Sequence, residues 1–124
     1  MPEDTYPTSA NLEGLLSKYK RLKSRYKSIL DLAGKILFEL ENSGSERIIK
    51  ALLEEKLRIA EKIQLETDEL AVHPIPQNEV INSQIIREAK EIIADIKIML
   101  GDLYEREETI SEWIKKRGMK FESP

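Results

Sequence analysis

"LEGLLSKYKRLKSRYKSILDLAGKILFEL", residues 12–40, decides the fold. Apolar side chains recur at Leu12, Leu15, Tyr19, Leu22, Tyr26, Ile29, Ala33, Ile36 and Leu40, and the steps alternate three and four. At 3.6 residues per turn that series lies on one face of an α-helix, and a seam held over about four heptads packs on other helices. Leu16, Leu30 and Leu37 widen the stripe, so this helix is expected to touch two neighbours.

Outward from this stretch the chain turns at "ENSGS", residues 41–45. Gly44 is the expected left-handed residue that closes the helix. Ser43 and Glu46 have capping-box spacing, and Ser45 is a second N-cap candidate. So short a connection sends the next helix back antiparallel, with residue i opposite about 87 − i. In that helix Ile49, Leu52, Ile59, Ile63 and Leu70 form one stripe, and Leu53, Leu57 and Ala60 an adjacent one. Lys56 and Glu66 interrupt the heptad, and Pro74 and Pro76 end the helix.

A third helix is expected from an N-cap near Asn78 to Arg117. Ile85, Ala89, Ile92, Ile96, Met99 and Leu103 keep the three-four step, Arg106 breaks it, and Ile110 and Trp113 resume it. Gly118 after "IKKR" is a stop signal, because cations suit the negative helix end and glycine suits the residue beyond it. The expectation is one all-α domain with helices at 9–42, 45–71 and 78–117 and loose tails at 1–8 and 118–124. Helices of roughly 45, 40 and 60 Å make an elongated antiparallel three-helix bundle, up-down-up. The alternative is a helical hairpin whose long C-terminal helix pairs with another chain.

The 124 residues suffice for one ordinary domain, and 40% hydrophobic residues suffice for its core. Charged residues make up 35%, which fits thin helical packing with much wetted surface. A net charge of −3 gives no global field for nucleic acid. With no cysteine, disulfides, thiolate metal sites and cysteine nucleophiles are excluded. The start "MPEDTYPTSAN" lacks the basic and apolar regions of a signal peptide, and apolar runs reach only two or three residues. A cytoplasmic protein without membrane insertion is expected.

The residues offer little chemistry. His73 has no sequence neighbours that would orient it as a ligand or base. The carboxylates of "YEREET" and "LLEEK" stand beside Lys and Arg at surface spacing, without a pocket that would separate their pKa values. No phosphate loop, zinc spacing or calcium loop occurs, so neither cofactor nor metal is expected. "SKYKRLKSRYKS" gathers Lys18, Lys20, Arg21, Lys23, Arg25 and Lys27 around Tyr19 and Tyr26, a pattern that can mark nucleic-acid binding. Both tyrosines lie on the seam, however. The hairpin register also sets the cluster beside Glu61, Glu66, Asp68 and Glu69, so charge matching between helices is the expected use.

One geometric mismatch points to a site. If the third helix packs back from residue 78, first-helix residue i lies level with about 63 + i. The first helix ends near 42, so residues 106–117 overhang by about 12 residues, or ~18 Å. Leu103, Ile110, Trp113 and Ile114 then form an apolar stripe running out from cover, a candidate partner-binding surface.

"IIKALLEEKLRIAEKIQLE" resembles the second helix of the flagellar export chaperones of the FlgN and FliT type. That pattern has apolar pairs, then acid-acid-Lys, then an Ile–Leu–Glu ending. Leu52, Leu53, Glu54, Glu55, Lys56, Leu57, Ile63, Leu65 and Glu66 carry it here. "YKSILDLAGKILFELEN" and the long third helix fit the same layout. The resemblance implies a small helical chaperone that holds hook-filament junction or cap subunits before type III export. It also implies client contacts through the C-terminal helical region. Tubulin-binding cofactor A shares the three-helix outline but no matched residues.

The expected function is therefore a non-enzymatic binding protein. An amphipathic segment of its client would lie along an exposed apolar stripe, with the second helix as scaffold for the first and third. A structural or adaptor coiled coil that dimerises through its third helix is the rival. A helical enzyme of the chorismate-mutase kind would need inward Arg and Lys, and the seams are almost wholly apolar.

Overall fold

The computed structural model describes residues 9–72 and 83–119, and its described residues fold as helices α1 (Ser9–Glu41), α2 (Glu46–Val72) and α3 (Ser83–Lys116). The all-α bundle is as expected. His73, the prolines at 74 and 76, Asn78 and the segments 1–8 and 120–124 lie outside the described residues.

The α1 seam forms the core. Leu22, Ile29, Ala33, Ile36 and Leu40 are buried, joined by Ile49, Ile63 and Leu70 of α2 and by Ile85, Ala89, Ile92, Ile96, Leu103 and Ile110 of α3. Ile36, Leu40 and Ile49 have the most deeply buried large side chains. Each is worth about 1.5–3 kcal/mol of apolar burial.

Helix α1, not α2, is the scaffold. Both α2 and α3 pack on α1, whereas among the described residues no Cα of α2 comes within 8 Å of one in α3. The width of the α1 stripe explains this. One edge, marked by Lys18 and Arg25, reaches α2, and the other, marked by Lys23 and Gly34, reaches α3.

The breaks in the seams are the polar contacts between helices. Arg106 donates from Nη1 to the Leu30 carbonyl at 2.7 Å. It lies over Gly34, where an added Cβ would stand 3.3 Å from the guanidinium. Lys56 pairs with Glu107 of α3 at 2.5 Å, and Arg25 donates from Nε to Glu66 at 3.2 Å.

The C-terminal ends of α1 and α3 share a backbone bond that reaches back five residues. At the end of α3, Gly118 takes a φ of 66°, Met119 N–H bonds to Ile114 and Gly118 N–H to Lys115. Met119 thereby packs on the core rather than joining a loose tail. At the end of α1 the left-handed residue is Ser43, with a φ of 57°, and not Gly44 as expected. Gly44 N–H reaches back to the Glu39 carbonyl at 2.6 Å. Ser45 caps α2, its Oγ accepting from Ile48 N–H at 3.1 Å.

The overhang expected for residues 106–117 does not exist. Lys23 bonds to Asp95, Leu30 to Arg106 and Gly44 to Arg117, sequence offsets of 72, 76 and 73. The expected offset of about 63 assumed that the chain turns straight back at residue 78. The real offset brings Arg117 level with the α1–α2 turn, so α3 ends where the hairpin ends. Ile110 is buried, and Trp113 and Ile114 are partly buried against the core.

The hairpin register does follow the expected pairing. Lys18 meets Glu69 at 2.6 Å and Arg25 meets Glu66. The two pairs differ in weight. Lys18 and Glu69 are well exposed, so screening leaves that pair little. Glu66 is only 20% exposed, and its second oxygen, Oε1, is buried without a hydrogen-bond partner. Arg25→Met strips Glu66 of its cation as well, and is expected to cost about 1–2 kcal/mol. Lys18→Met should stay within about 0.5 kcal/mol. Urea titration of the two variants checks this; equal losses would mean that the burial of Glu66 is immaterial.

Candidate functional site

Axes of packed helices lie 8–10 Å apart, so a compact three-helix bundle brings all three pairs into contact. Here α2 and α3 both pack on α1, while among the described residues no Cα of one comes within 8 Å of the other, so the two stand further apart than a packed pair. The three helices thus correspond to a four-helix bundle with one helix missing. The fourth corner is a groove between α2 and α3, with α1 beneath.

The side chains along this groove follow from helical geometry. Lys56 and Glu107 bond across it and so mark the facing sides of the two helices. Ala60 stands one turn beyond Lys56 along the trough, with Leu57 beside it, and Leu53 one turn back toward the hairpin turn. Below Glu107 on the same face of α3 come Tyr104, Leu100, Ile93 and Ile86. Leu57 is 41% and Tyr104 66% exposed; Leu53, Ala60, Ile93 and Leu100 are half-buried. On the floor, Leu22 and Ala33 are buried, and Tyr19 and Tyr26 are half-buried.

The result is a shallow apolar trough. It is closed toward the hairpin turn by the Lys56–Glu107 bridge and runs from there toward the start of α3. Burial raises the pKa of both floor tyrosines, and for Tyr26 the nearby Tyr104 adds to the effect. Their hydroxyls stay protonated and neutral at pH 7, which suits an apolar floor rather than an acid–base site.

The four residues expected to bind a partner have another place. Leu103 and Ile110 belong to the core of the lone chain, and Trp113 and Ile114 pack against it. Trp113 also lies under Lys116, whose Nζ is 5.2 Å from the ring centre. Ile110, Trp113 and Ile114 form the closed end of the bundle, beyond the Lys56–Glu107 bridge from the open trough, while Leu103 lies in the core one turn before that bridge.

The groove was legible in part. Leu53, Leu57 and Ala60 stand out as a second stripe on α2. Ile86, Ile93 and Leu100, seven residues apart, are a second heptad series on α3, one residue behind the first. Two parallel series on one helix are the sign of a face wider than one neighbour needs.

The basic cluster divides. Lys18, Lys23 and Arg25 are paired with acids of α2 and α3, and Lys20, Arg21 and Lys27 are exposed on the outer face of α1. Among the described residues no group of acids or histidine could hold a metal ion, and no helix is long and apolar enough to cross a membrane. Comparison with known protein families, curated proteins and solved structures gives no match.

Proposed function

We propose that the chain is a non-enzymatic helical binding protein whose α2–α3 groove receives an amphipathic helix of a client protein. The vacant fourth corner carries this reading: two helices packed on α1, not on each other, with apolar side chains along the space between them. A helix laid there would bury Leu57 and Tyr104 and complete a four-helix bundle. The resemblance of α2 to the flagellar export chaperones supports a client of the type III export class, such as a hook-filament junction or cap subunit. Masking the amphipathic segment of such a subunit would keep it from aggregating before it is handed on. A cytoplasmic setting goes with that reading.

The second reading is an adaptor that self-associates, and the same groove would serve it. Co-expression with the C-terminal segments of flagellar subunits from the source organism, followed by size-exclusion chromatography, separates the two. A complex is expected, weakened at least about 10-fold by Leu57→Glu, since a charge in the trough opposes an apolar helix. Ile98→Glu should leave binding intact, because Ile98 is exposed on the far side of α3. Binding that survives Leu57→Glu removes the groove as the site. A dimer with no client complex favours the adaptor.

A further inference from the structure

The geometry points to a client helix of mixed charge. Its apolar stripe is flanked by basic side chains along one edge and acidic side chains along the other, and the two rims of the groove thereby set which way it lies. This rests on the groove being the binding site.

The rims have opposite signs. On α2, four residues beyond Leu57 and Gln64, Glu61 and Asp68 stand at the outer lip of the trough. On α3, four residues beyond Ile86 and Ile93, Lys90 and Lys97 stand at the opposite lip. All four are exposed. Arg58 and Lys62 of α2, and Glu88 and Glu91 of α3, point further round, and Glu108, four residues beyond Tyr104, stands past the Lys56–Glu107 bridge, so along the trough itself each lip has a single sign.

Elsewhere this molecule matches charges wherever two helices meet: Lys18 with Glu69, Arg25 with Glu66, Lys23 with Asp95 and Lys56 with Glu107. At the groove, Glu61, Lys90 and Lys97 make no ion pair among the described residues, and Asp68 accepts from its neighbour Gln64 at 2.9 Å. The lips carry the flanking charges of a helix contact whose fourth helix is supplied from outside.

Turning a helix end for end exchanges its edges, so the lips also select a direction. Helices are right-handed, and α3 runs parallel to α1. A client helix parallel to them turns its heptad e positions to α2 and its g positions to α3. Bases at e and acids at g therefore give the parallel orientation, and the reverse pattern gives the antiparallel one.

The test uses the whole chain and three synthetic helices with the same leucine seam. One has lysine at e and glutamate at g, one has glutamate at both, and one has lysine at both. By calorimetry at about 0.1 M salt, the mixed helix is expected to bind about 10-fold more tightly than either single-sign helix. In the double variant Lys90→Glu, Lys97→Glu the all-lysine helix should become the best ligand. A spin label on the N-terminus of the mixed helix should broaden the amides of residues 86–90. The reversed pattern should instead broaden those near Tyr104.

Equal binding of all three helices, still lost in Leu57→Glu, overturns the charge selection and leaves the groove standing. Binding of none, or binding indifferent to Leu57→Glu, overturns the groove reading itself. Groove amides that shift with protein concentration alone assign the trough to a second copy of the chain and overturn the external client.

Discussion

Ile110→Ala is expected to lower the stability of the isolated chain by about 3 kcal/mol, within the range for truncating a buried isoleucine. Ile110 is 3% exposed. It lies between the two points that tie α3 to α1 near the turn, Arg106 on the Leu30 carbonyl and Arg117 on the Gly44 carbonyl. These bonds place it level with Ile36, Leu40 and Ile49, where the core is most deeply buried. Deleting three carbons there removes apolar burial and opens a cavity that the neighbouring isoleucines and leucine fill poorly. For a chain of this length the melting temperature should fall by roughly 10–20 °C. Trp113→Ala should cost less, about 1–2 kcal/mol, because the indole is only partly buried and its ring is covered by the exposed Lys116 side chain. Urea unfolding of both variants measures the order. A loss below about 0.5 kcal/mol for Ile110→Ala would mean that the last three turns of α3 hang free of the hairpin.

That last outcome is what the sequence alone favours, and the reason it misleads is specific. Heptad seams define faces, and each seam here appears in the structure on the face that its spacing predicts. Spacing says nothing about how far one helix slides along another. For α1 and α2 the slide is limited by a turn of a few residues, so the pairing of Lys18 with Glu69 could be anticipated. For α1 and α3 it depends on the ten residues 73–82, which contain two prolines and no periodicity. Counting from Asn78 moved Ile110 and Trp113 out of the core by nearly three turns.

The groove was hidden for a different reason. A wide apolar stripe on α1 implies two neighbours, and it is silent on whether those neighbours touch each other. Lys56 and Glu107, read as an interruption and as surface charge, are the one described ion pair that joins α2 to α3. A polar pair spanning that gap, where an apolar contact would be expected in a closed bundle, is the physical mark of the open corner. Its lining was visible as the second heptad series of α3, once that series is taken as a face needing its own partner.

Gly44→Ala is expected to destabilise the chain by about 2 kcal/mol, while Ser43→Gly should stabilise it by about 0.5–1 kcal/mol. Sequence reasoning gives the opposite assignment, since the only glycine in the turn is the natural candidate for the left-handed residue. In the structure Ser43 holds that conformation, at a φ of 57°, and bears the strain of a side chain there. Glycine at 43 would relieve the strain, less the extra freedom it gives the unfolded chain. Gly44 is required for space. An added Cβ would lie 2.9 Å from both the Cβ and the carbonyl oxygen of Glu39 and would collide with the Glu39 carboxylate as well. The carboxylate can swing away, but the carbonyl is the acceptor of the Gly44 N–H and cannot retreat without breaking the cap. Because Arg117 donates to the Gly44 carbonyl, a displaced turn also loosens the end of α3. Thermal melts of the two single variants and of the double variant decide the matter. Stability unchanged by Gly44→Ala would show that the turn has room the close approach to Glu39 denies. A double variant recovering most of the loss would show that relaxing Ser43 lets the turn shift enough to accept a side chain at 44.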